Sequence, residues 1–107
     1  MTYLELDRRD QKMIALMGAV AFGRLENFII EDGYAKATAD SQQIITDNYD
    51  HDDAPHATKR VDGNFLLTDK HMRFLCRIRK VKNGKIKSIT IRSGLPVASE
   101  ISEAISI

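Results

Sequence analysis

Nine cationic side chains fall within residues 70–92: Lys70, Arg73, Arg77, Arg79, Lys80, Lys82, Lys85, Lys87 and Arg92, with no Asp or Glu among them. Lys and Arg in such density suit one chemistry above others, the neutralisation of phosphates, which supplies affinity without reading sequence. Formal charge is +9 over this stretch, −6 over residues 1–69 and −2 over residues 93–107, so the whole-chain value of +1 conceals a strong segregation. The expected contacts are Arg73, Arg77, Arg79, Lys82, Lys85, Lys87 and Arg92. An acidic protein surface is the alternative partner for the same charge.

A second set of reactive side chains lies in residues 47–60, DNYDHDDAPHATKR, where His51 and His56 sit among four aspartates. Imidazole and carboxylate are metal ligands, yet the spacing matches no regular zinc or calcium loop, having neither a cysteine pair nor the turn glycine of an EF-hand. This stretch reads as a flexible acidic loop, and no metal or cofactor is expected. There is also no P-loop, no Gly-x-Ser-x-Gly and no His-Glu-x-x-His. His71 alone does not make an acid–base site, and the expectation is a small non-enzymatic regulatory or accessory protein.

Those residues need elements to hold them. Asn83-Gly84 lies between two alternating runs and supplies the positive-φ pair of a tight hairpin turn, so residues 70–92 read as a basic β-hairpin. Its inward face would carry Met72, Phe74, Cys76, Ile78, Ile89 and Ile91. A helix over residues 70–82 competes, with Asp69 as its cap, Gly84 as its end, and Phe74, Leu75, Ile78 and Val81 on one side. No aromatic residue falls on the outer hairpin face, which favours contact with a phosphate backbone or duplex over base stacking.

Upstream, Ile14, Met17, Gly18, Ala21, Leu25, Phe28 and Ile29 share one arc at helical spacing, predicting one long amphipathic helix over residues 8–31. Thr2-x-x-Glu5 and Asp7 are its rival caps, and Gly33 its terminator. Gly18, on the apolar arc, suggests close approach of another backbone. Leu16 and Ile30 fall off the arc, and their exposure would favour a homodimer through this helix. Residues 34–39 permit a short strand, but Asp40-x-x-Gln43 favours a short helix. Asn64 to Thr68 reads as a strand, and Val97, Ile101, Ala104 and Ile105 predict a short C-terminal helix behind Pro96.

The expected whole is a single domain, residues 1–107, of α+β class: a long N-terminal helix on an antiparallel sheet of about three strands, with no internal repeat. Apolar residues make up 43% of the chain and charged residues 29%, a balance that supports a packed core rather than disorder. Cys76 is the only cysteine and is expected as a buried thiol. The longest apolar run, residues 13–22, is too short for a membrane span, and the acidic start is unlike a signal peptide. A cytoplasmic, soluble protein without membrane association is expected.

Overall fold

The computed structural model describes residues 1–47, 49 and 65–105. Asp7 opens the first helix, α1 (Arg8–Val20), by accepting a hydrogen bond from the Arg9 amide. Then follow two strands, β1 (Gly23–Glu31) and β2 (Tyr34–Ile45), a second helix α2 (Asp69–Val81), and strands β3 (Gly84–Arg92) and β4 (Leu95–Ser102). The class is α+β. The strands form one antiparallel sheet in the order β2-β1-β3-β4, and the buried sides of both helices join the inward residues of the central strands in one core. Among the described residues, no helix is long and apolar enough to cross a membrane.

The chain is a tandem repeat of one α-β-β unit. Shifting the numbering by 61 carries Arg8–Val20 onto Asp69–Val81 and Gly23–Glu31 onto Gly84–Arg92. The same shift carries the buried positions of α1 (Asp10, Met13, Ile14, Met17, Val20) onto those of α2 (His71, Phe74, Leu75, Ile78, Val81). Both helices stop on a residue with φ near 60°, Ala21 and Lys82, whose carbonyls accept from the amides of Gly94 and Gly33 respectively. The β1–β3 register maps onto itself as well, Gly23↔Ile91 onto Ile30↔Gly84 and Leu25↔Ile89 onto Phe28↔Ile86. A pseudo-two-fold axis therefore passes between the two central strands. The expected absence of a repeat is corrected: identities at this shift are sparse, and what repeats is burial, turn geometry and register.

The long helix is corrected to a helix followed by a strand. Leu25, Phe28 and Ile30 are all buried because the alternation of β1 is interrupted at Asn27, which has φ of 62° and lies where the β1–β2 register shifts, with residues 38–41 of β2 standing opposite it. A bulge of this kind stretches the inward spacing of a strand from two residues to three, which imitates a helix. Gly18 does receive a close neighbour, since a Cβ on Gly94 would lie 3.4 Å from its Cα. Thr2 and Glu5 make their capping box around a 3-10 turn, Tyr3–Glu5, instead of capping α1.

The basic hairpin is also corrected, to helix α2 and strand β3. The competing helix is the one observed, capped by Thr68 with His71 as its reciprocal partner. Its apolar spacing buries Phe74, Leu75, Ile78 and Val81 together, which no two-fold alternation of a strand can do. The true hairpin turns are Asp32-Gly33 and Ser93-Gly94, each with positive φ at both residues. Residues 34–45, expected as a short helix after residue 40, form β2, with the Thr38 and Ser41 hydroxyls bonded to the Asn27 carbonyl. Of the strand expected from Asn64 to Thr68, Asn64 lies outside the described residues, and among 65–68 only Leu66 shows bridging, to Thr2. The expected C-terminal helix is β4, where Pro96 and Ile101 face Ile91 and Ile86 across the sheet. Cys76 is exposed on α2, not buried, and Ile30 is buried. The acidic loop, with His51 and His56, lies outside the described residues apart from Asp47 and Tyr49.

Candidate functional site

Helix α2 sorts its cations by periodicity. With one side committed to the core, Lys70, Arg73, Arg77 and Lys80 recur at intervals of three and four along the opposite side, and all four are exposed. Lys82 extends the row at the helix end. Arg73 pairs with Asp69 at 2.9 Å, but both side chains are more than three-quarters exposed, so water holds most of that energy. Lys70, Lys80 and Lys82 have no ion pair among the described residues. Acidic and basic residues at the two ends of α2 follow its dipole, which stabilises the helix that displays the row.

Beside this row opens a cleft of about 460 Å³, lined by Arg77, Lys87, Ser99, Glu100, Ile101 and Ser102. Lys87 reaches it from the irregular point of β3, where the register to β4 shifts between Ile86 and Ser88. Arg77 also meets Glu103 at 3.6 Å, each side chain about half-exposed. The cleft thus offers two cations and two hydroxyls to an anion, with two carboxylates, Glu100 and Glu103, at hand.

The remaining expected contacts lie elsewhere. Arg79 belongs to the protein's interior chemistry: it donates to the Gly33 carbonyl and to Asp10, and its guanidinium lies 4.0 Å from the Tyr34 ring centre. Arg9 lies 3.5 Å from the centre of the same ring. Asp10 is buried, and its Oδ1 has no hydrogen-bond partner among the described residues. Burial pushes its carboxyl above the usual aspartate value, against the pull of Arg79. Lys85 and Arg92 each adjoin a core isoleucine on β3, Ile86 and Ile91, so alternation turns them to the sheet face without helices.

The expected set of seven is therefore divided. Arg73, Arg77, Lys82 and Lys87 stay on or beside α2, Lys85 and Arg92 face the other way, and Arg79 is occupied. Lys70 and Lys80 were missing from the set, although the intervals 70, 73, 77 and 80 are a helical signature once the segment is read as a helix. His71 lies buried at the N-terminal end of α2, its ring nitrogen accepting from the Thr68 amide, and burial lowers its pKa. It holds the helix start and has no access to solvent chemistry. Among the described residues, no group of His, Cys, Asp and Glu could hold a metal ion. Comparison with protein-family models, curated proteins and solved structures found no match to this chain.

Proposed function

We propose that the protein is a small non-enzymatic nucleic-acid-binding protein that lays the exposed side of α2 along a phosphate backbone. The observation that carries this reading is the row Lys70, Arg73, Arg77, Lys80 and Lys82, continued by Lys87. Ten residues of helix span about 15 Å, over which several phosphates of a duplex pass. The contact is with the backbone, which positions a protein without specifying sequence.

Fluorescence anisotropy with labelled duplex and single-stranded oligonucleotides, competed by polyglutamate, tests the reading at low salt. Duplex is expected to bind more tightly than single strand, because no stacking aromatic accompanies the row, and polyglutamate is expected to compete poorly at equal charge. Failure of either nucleic acid to bind at low salt contradicts the proposal. Binding of polyglutamate in preference to duplex would transfer the surface to an acidic protein partner.

A further inference from the structure

The pseudo-symmetry allows the cleft to be compared with its own counterpart. Shifting back by 61 replaces Arg77 by Leu16 and Lys87 by Glu26. On the outer strands the two registers differ, and by strand partner Ser99, opposite Ile89, answers to Ala37, opposite Phe28, while Ser102, opposite Lys85, answers to Ile44, opposite Arg24. In the first repeat these positions therefore carry neither cation nor hydroxyl: Leu16 packs against the core, and Glu26 is bridged to Arg24 at 3.5 Å. In the second repeat Arg77, Lys87, Ser99 and Ser102 line one cleft. Two places of one architecture have thus diverged, one into an apolar and acidic lining and the other into an open cationic cleft.

We infer that the cleft of Arg77, Lys87, Ser99 and Ser102 is a phosphate-binding site, and that the Glu103 carboxylate is its resident competitor. The chemistry fits a tetrahedral oxyanion: a guanidinium fork and an ammonium supply charge, and two hydroxyls supply donors. Glu103 stands 3.6 Å from Arg77, where an incoming phosphate oxygen would stand, and Glu100 lines the same cleft. The pair is half-exposed, so its displacement costs little. The site rests on the nucleic-acid reading only for the source of the phosphate, which is a strand terminus, a backbone phosphate or a free phosphate ion.

The test is NMR titration of the full chain with inorganic phosphate, alongside anisotropy with duplexes bearing a 5′-phosphate or a 5′-hydroxyl. Wild type is compared with Glu103→Gln, Lys87→Gln and Arg77→Leu, each checked for an unchanged melting temperature. Glu103→Gln is expected to tighten phosphate binding about two- to five-fold, the range an exposed pair commands, and Arg77→Leu and Lys87→Gln to weaken it at least as much. Shifts centred on Ser99 and Ser102 would support the site. Phosphate binding that all three variants leave unchanged, or none in any protein, overturns it. Duplex binding that persists while phosphate binding fails would sink the cleft and spare the α2 surface; phosphate binding obeying the three variants without duplex binding would do the reverse. A preference for the 5′-phosphorylated duplex assigns the site to strand ends.

Discussion

Asp10 and Arg79 form a pair whose two members face unequal risks. Asp10 is 2% exposed, whereas the Arg79 side chain is 36% exposed and keeps the Gly33 carbonyl and the Tyr34 ring if the carboxylate is lost. Arg79→Leu leaves a carboxylate buried without its partner and is expected to cost about 3 kcal/mol, while Asp10→Asn should cost about 1 kcal/mol. Urea denaturation of the two variants and of the double variant checks the order; an Asp10→Asn penalty larger than that of Arg79→Leu would contradict it. The pH dependence follows from the same burial. Because the folded carboxyl titrates above the unfolded value of 3.8, the native state holds the proton longer, and its stability falls as pH rises from 3.8 through the raised value. At the equivalent position of the other repeat, burial lowers His71 below 6.5, so its contribution is complete above pH 6.5 and is lost as pH falls through the lowered value. Between pH 4 and 7, where the His71 contribution is common to both proteins and cancels, the denaturation midpoint of wild type is expected to fall relative to that of Asp10→Asn as pH rises; a difference independent of pH would place the titration elsewhere.

At the scale of elements, Cys76 distinguishes the helix from the hairpin by chemistry. On a strand alternating with Phe74 and Ile78 it would be buried, while on α2 it lies beside Arg73 and Lys80 in water. A small disulfide reagent should therefore label one thiol per native chain as fast as in the denatured protein, and labelling that required unfolding would contradict the helix. The same residues show why the sequence was only partly legible. Phe74, Leu75, Ile78 and Val81 carry the helix signal plainly, but Asn83-Gly84 after them resembles a hairpin turn, and the two signals compete. Asp32-Gly33 and Ser93-Gly94 are the real turns, and the first of them carries the same glycine that suits a helix terminator. The interrupted alternation at Asn27 hid β1 behind helical spacing, since a bulge leaves no compositional mark. The α+β class and most core residues of α1 and α2 were legible because burial on one side of a helix must repeat in the sequence. The cleft was not, because Arg77, Lys87 and Ser99 meet only through the order of the strands.

For the whole molecule, the charge segregation visible in the sequence acquires a direction. Two α-β-β units related by a pseudo-dyad put both helices on one face of the sheet, and the second unit carries the cationic row on its helix while sending Lys85 and Arg92 to the opposite face. The central claim is that phosphate contact belongs to the α2 face. The most direct test is the salt dependence of duplex affinity for wild type, for Lys70→Glu/Arg73→Glu/Lys80→Glu and for Lys85→Glu/Arg92→Glu. Contact with about five phosphates gives a slope of log affinity against log salt near −4.5. The α2 variant is expected to fall to about −2 as three contacts are lost, with the sheet-face variant close to wild type. Equal slopes for wild type and the α2 variant, or a loss confined to Lys85→Glu/Arg92→Glu, would contradict the account.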